Sequence, residues 1–90
     1  MLRIKEESKK ELRELGYKKC KGEYGKAGLY YKCFSVGVQV MFMGDGIYIM
    51  DWKSDDPRIH KRANCRYSEK ISVYGELFEL INLGYVERYF

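Results

Sequence analysis

Apolar and polar positions follow two different periods along this chain. Over residues 3–15, Ile4, Leu12 and Leu15 fall on one stripe at spacings of eight and three. Ser8 fills the position between them, and Glu, Lys and Arg take most of the rest. That spacing predicts a helix over 3–15. Its i,i+4 charge pairs are mixed, since Glu6–Lys10 attracts and Glu7–Glu11 repels. Gly16 stands where a left-handed residue closes a helix, and Tyr17 can fold back as its apolar contact. The same Leu-Gly-Tyr triplet recurs at 83–85, after Tyr74, Leu77, Phe78, Leu80 and Ile81. This predicts a second helix over 72–83 with Ser72 as its N-cap. Gly75 weakens its first turn by about 1 kcal/mol relative to alanine.

Between the two triplets the period falls to two, the signature of strands. Residues 18–21 read as a short edge strand, 22–28 as a glycine-rich loop and 29–34 as a strand. Residues 37–43 and 47–53 read as the arms of a hairpin around Gly44-Asp45-Gly46. The register follows from the side chains. A two-residue Asp45-Gly46 loop sets Val40 against Asp51 and so places a carboxylate among valines. A three-residue loop sets Val40 against Met50 and Val38 against Trp52. Val38, Val40, Phe42, Tyr48, Met50 and Trp52 then share one face, with Gln39 and Asp51 on the other. A slip of one residue reverses every side chain, so a buried face selects the three-residue loop. Residues 54–70 are the least apolar stretch and read as a long connection without structure of its own. Residues 85–90 can supply a last strand. The expected fold is α+β in two layers: an antiparallel sheet of three to four strands packed against two helices, in α-β-β-β-α order, as a single domain over 1–90.

Length and charge narrow the function. A 90-residue chain buries only about 60–65% of the surface its unfolded form exposes. That excludes a two-domain enzyme, a TIM barrel or a full dinucleotide-binding fold. No apolar run approaches the ~18 residues of a membrane span. The opening MLRIKEESKK has no apolar signal core, so no export signal is expected. With three cysteines, Cys20, Cys33 and Cys65, an odd count, the expectation is free thiols in a reducing cytoplasm. The net charge of +4 is unevenly spread. Residues 58–70 set Arg58, Lys61, Arg62, Arg66 and Lys70 against Glu69 alone, whereas residues 34–57 and 71–90 are acidic on balance. Such a dipolar surface steers charged partners without naming one.

Reaction chemistry finds little support. Asp45 with Asp51-Trp52-Lys53 has the look of a metal-dependent nuclease motif, in which two carboxylates hold a divalent ion and a lysine positions water. Asp45 lies at the hairpin tip, however, and Asp51 lies roughly 20 Å away at ~3.3 Å per residue. Cys20, Cys33, Cys65 and His60 are zinc-type ligands, yet they lack the close paired spacing of a structural site. With one histidine and no nucleophile elbow, no Ser–His or Cys–His machinery is indicated. The 22–28 loop does not end in Gly-Lys-Ser/Thr, so it is no phosphate loop. No metal, cofactor or catalytic residue is expected.

Two binding chemistries remain. Arg58, His60, Lys61, Arg62 and Arg66 lie within nine residues, beside Tyr67 and downstream of Trp52. Basic groups neutralise phosphates and aromatic rings stack on unpaired bases, which suits a nucleic acid. The chain also carries nine tyrosines, more than so small a core encloses. A sheet face left uncovered by the helices would present such rings, and tyrosine, tryptophan and arginine are the residues of protein-interface hot spots.

The run Ile71-Ser72, Glu76-Leu77, Ile81 and Leu83-Gly84-Tyr85, together with the opening Leu15-Gly16-Tyr17, resembles small uncharacterised phage- and prophage-encoded αβ(3–4)α proteins. The chain differs from them by an extra residue between Ser72 and Glu76 and by its long basic loop. The resemblance implies an accessory protein of the bacterial cytoplasm that binds and blocks a host protein, and it carries over no functional residue. The expected function is a small non-catalytic protein-interaction module, an inhibitor or modulator of a host protein. Its expected contact residues are Trp52, Arg58, His60, Lys61, Arg62, Arg66 and Tyr67. Arg62 and Arg66 would pair with partner carboxylates, and Trp52 or Tyr67 would anchor the contact. The alternative is a nucleic-acid-binding accessory protein using the same 58–67 loop, with the nuclease third. A second copy of the chain could equally close a free sheet edge.

Overall fold

The computed structural model describes residues 1–68 and 70–89. Glu69, in the predicted 54–70 connection, and Phe90, in the predicted last strand, lie outside the described residues. The chain runs β1 (Leu2–Ile4), a 3-10 helix (Glu6–Glu11), β2 (Lys18–Lys19), the single turn α1 (Glu23–Lys26), β3 (Tyr30–Phe34), β4 (Gln39–Met43) and β5 (Ile47–Asp51). A second 3-10 helix (Cys65–Tyr67), α2 (Val73–Asn82) and β6 (Val86–Arg88) follow. The class is α+β as expected. A four-stranded antiparallel sheet in the order β2-β3-β4-β5 lies beside a two-stranded ribbon, β1-β6.

The hairpin adopts the register selected by its side chains. Val40 faces Met50, Phe42 faces Tyr48 and Gln39 faces Asp51. The Trp52 N–H donates to the Val38 carbonyl at 2.9 Å, continuing the pairing past the strand ends. β4 begins at Gln39, after Val38 takes a left-handed φ of 51°. α2 is capped by Ser72, whose hydroxyl accepts the Gly75 N–H at 3.0 Å. The 22–28 segment, read as a loop, contains the turn α1.

The predicted helix over 3–15 is corrected. Residues 2–4 are extended and pair with 86–88, Ile4 against Val86. A 3-10 helix then carries the chain toward Leu12. The apolar stripe is still honoured, because Ile4, Ser8 and Leu12 are all buried. What overrides the helical period is the far end of the chain. A lone terminal strand leaves its backbone donors and acceptors unpaired, and Leu2–Ile4 supplies them. Arg3 Nε adds an ion pair to Glu87 at 2.9 Å.

The two Leu-Gly-Tyr triplets form the same terminator. Tyr17 N–H reaches back to the Leu12 carbonyl at 2.9 Å, and Gly16 N–H to Arg13 at 3.1 Å. Tyr85 repeats this toward Leu80 at 3.0 Å, and Gly84 toward Ile81 at 3.1 Å. This paired 6→1 and 5→2 pattern needs a left-handed residue at its fifth position. Gly16 and Gly84 supply it at φ 94° and 81°.

The four-stranded sheet is covered on both sides, a second correction. On one side Phe34, Met41 and Met43 pack against Val73 and Leu80 of α2 and against Ile4, Leu12, Tyr17 and Val86. On the other, Tyr31, Val40 and Phe42 pack against Cys20, Ile59 and Cys65. The connection expected to lack structure is that second cover. Its apolar anchors are Ile59 and Cys65, and Arg58 acts as a third. The Arg58 guanidinium lies 3.9 Å from the centre of the Phe42 ring and is clamped by Asp56 at 2.7 and 3.0 Å. The aromatic sheet face is therefore not the open surface that two helices on one side would leave. On the α2 side, Lys32 Nζ meets Glu76 at 2.9 Å and the Leu15 carbonyl at 2.9 Å, and Tyr17 Oη also donates to Glu76 at 2.9 Å. This buried group ties α2 to β3 and to the first terminator.

Candidate functional site

The predicted contact residues divide into two groups. Arg58 turns inward, as described, and spends its charge on Asp56. The arginine holds the Asp56 carboxyl below the ordinary carboxylate range through direct hydrogen bonds. His60 is exposed, but its Nδ1 lies 2.8 Å from Tyr31 Oη. That bond pins the start of the segment to β3. Trp52 is half-buried just past β5, with the Arg66 guanidinium 5.4 Å from its ring. Lys61, Arg62, Arg66 and Tyr67 stand out from the surface, Tyr67 at 86% exposure.

Local bonds hold this presentation. Ala63 N–H donates to His60 carbonyl at 2.9 Å, closing a tight turn with Lys61 and Arg62 at its tip. Asn64 then accepts the Arg66 N–H at 3.0 Å and starts the second 3-10 helix. Buried Ile59 and Cys65 sit on either side of the turn. The two cations are thus displayed from a short arc fixed at both ends.

Facing that arc is the edge strand β2. Between them lies a cleft with two lobes, both lined by Lys18, Tyr31, Arg62 and Ala63. One lobe, of about 400 Å³, extends to Lys32, Cys33 and Tyr67. The other, of about 580 Å³, extends to Lys21, His60 and Lys61. Among the described residues, no carboxylate lines either lobe. The sequence reading found one wall of this cleft and missed the other. The pattern gives Lys18 and Lys21 only as edge-strand residues, because nothing local says that a loop forty residues later docks beside them.

The thiols belong to the same side of the sheet. Cys33, half-buried in the cleft wall, is held below the ordinary thiol range by a hydrogen bond from Cys65 and by the nearby charge of Lys18. The same bond and burial push the enclosed Cys65 up. Burial raises Cys20 to about 12. All three are free. Asp45, at the hairpin tip, and Asp51, opposite Gln39, lie at opposite ends of β5. Among the described residues, no group of three or more His, Cys, Asp or Glu side chains could hold a metal ion. No described helix is long and apolar enough to cross a membrane.

A second surface shows in the sequence only as helix periodicity. In α2, Val73 and Leu80 face the core. At 100° per residue, Tyr74, Phe78 and Ile81 fall within about 60° of one another on a different flank. They are exposed at 63%, 66% and 41%. The apolar arc of α2 is therefore wider than the core it covers. The 73/77/80 and 74/78/81 rows are separable on paper, and that is the signal which could have found the ridge.

No family model, no curated protein and no solved structure matches this chain.

Proposed function

We propose that this chain is a small non-catalytic interaction module that docks on a partner protein through the outer ridge of α2. The observation that carries the reading is the exposed row of Tyr74, Phe78 and Ile81 on a helix whose adjacent flank is anchored in the core. Large apolar side chains spaced i, i+4, i+7, here two rings and an isoleucine, are the anchors by which a helix fills an apolar groove. Left in water, such a contiguous patch has a continuing cost that a partner removes. An inhibitor or modulator of this kind acts by occluding the groove it fills, and it needs no reaction centre.

This reading places the protein contact on α2 and not on the 58–67 loop. The test is affinity capture from lysate of the cells that encode the chain. Wild type is compared with Phe78→Glu and with a Lys61→Ala/Arg62→Ala variant. The expected result is a protein retained by wild type and by the lysine–arginine variant but lost from Phe78→Glu. Removing a central aromatic anchor costs about 2 kcal/mol or more, some thirtyfold in affinity. Sedimentation of wild type alone checks whether the ridge is instead closed by a second copy. Identical capture by wild type and Phe78→Glu, both folded by circular dichroism, sinks the proposal.

A further inference from the structure

The cationic cleft has no part in the α2 contact, and it supports a separate activity. We infer that the cleft between β2 and the 60–68 arc holds a single strand of nucleic acid. Its phosphates would lie against Lys18, Lys21, Lys61 and Arg62, and an unpaired base on the ring of Tyr67.

The first support is the state of those four cations. Some basic groups of the chain are ion-paired, as in Arg3–Glu87, Lys9–Glu6, Lys26–Glu23 and Arg58–Asp56, and others, Lys19 and Lys53 among them, make no ion pair among the described residues. Lys18, Lys21, Lys61 and Arg62 are all exposed, and none makes an ion pair among the described residues. Two come from the edge of the sheet and two from the opposing arc, so their charges converge on one slot. Like charges gathered without counter-charge destabilise a fold slightly and attract a polyanion strongly.

The second support is Tyr67. Its ring lines the cleft at 86% exposure while the backbone beside it is held by the second 3-10 helix. An aromatic ring left open on a held stretch of backbone beside phosphate-binding groups is a stacking platform for any base. A base reaches such a ring only when it is unpaired. A duplex is also disfavoured by shape, because the cations lie in a concavity. The longest helix among the described residues, α2, presents an apolar ridge where a groove-reading helix presents polar and basic side chains to the base edges.

The test is fluorescence anisotropy with a labelled oligothymidylate of roughly ten nucleotides, a length within the usual range for a small groove. Competitors are a duplex of the same length and polyglutamate of the same charge. Four phosphate contacts give a slope of log affinity against log salt of about −3, at roughly 0.7 per contact for single strands. Lys61→Ala with Arg62→Ala lowers it to about half. Tyr67→Ala weakens binding about tenfold at fixed salt without changing the slope, and Tyr67→Phe restores it. All three positions are exposed, so thermal melts of the variants should match wild type. The inference fails if the strand does not bind at low salt or if the double variant keeps the slope. It fails equally if duplex competes as well as the strand, or if polyglutamate does, which would assign the cleft to an acidic protein segment.

Discussion

The two covers of the central sheet are built from opposite materials. On one side, α2 brings more apolar surface than Phe34, Met41 and Met43 can accept, and the excess faces outward as Tyr74, Phe78 and Ile81. On the other, the 53–68 segment has few apolar side chains to offer. It is held by Ile59, Cys65, the Arg58 plate over Phe42 and the Tyr31–His60 bond. Its excess is positive charge. What each cover leaves in solvent follows from how it is fastened. An amphipathic helix with too wide an arc leaves an apolar ridge, and a polar strap pinned at a few points leaves its cations displayed.

If that contrast is right, the two covers respond differently to loss of an anchor. Leu80→Ala should cost about 3 kcal/mol in urea unfolding, the usual size for a fully enclosed leucine. It should release the molecule as a unit. Ile59→Ala should cost about 2 kcal/mol, with faster amide exchange over 60–68 ahead of global unfolding. Uniform exchange changes in both variants would erase the distinction.

The two arginines of the strap sharpen the comparison further. Arg58→Ala strips the Phe42 ring and leaves Asp56 unpaired, a loss of about 1–2 kcal/mol in thermal melts. Arg66→Ala, on the outside of Trp52, should fall within about 0.5 kcal/mol of wild type. Equal losses would mean that Arg58 is not the anchor described.

Acid gives a smaller effect of known sign. Asp56 is held below its ordinary value in the folded state, first by the Arg58 side-chain hydrogen bonds. Its contribution is therefore complete above the unfolded carboxylate value of about 3.9 and is lost as pH falls through the lower folded value. Stability of wild type should decline below about pH 4 more steeply than that of Asp56→Asn, as followed by denaturant titration at several pH values. Parallel declines would remove the pair from the account.

Much of the fold was legible because its signals are local. The three-residue hairpin loop follows from the side chains of Val40, Met50 and Asp51. Ser72 and the two Leu-Gly-Tyr triplets mark their own geometry. Pairing of β1 with β6 was not legible, because it joins residues more than eighty apart and competes with a helical stripe that the 3-10 turn satisfies almost as well. The strap was illegible for a different reason. Arg58 counts as charge in any pattern, yet once Asp56 neutralises it, its flat guanidinium covers an aromatic ring as an apolar group would. At the site, Lys61, Arg62 and Tyr67 were found by clustering. Lys18 and Lys21 were not, since only tertiary docking sets them across a cleft. The ridge of α2 was visible as periodicity and was absorbed into the core because the number of faces a helix buries is not written in its period.

The most direct measurement is hydroxyl-radical footprinting of the chain alone and bound to its captured partner, read at individual aromatic side chains. The account predicts that Tyr74 and Phe78 lose their reactivity in the complex while Tyr67 keeps its own. Protection of Tyr67 with Tyr74 and Phe78 unchanged would contradict it and return the protein contact to the basic arc.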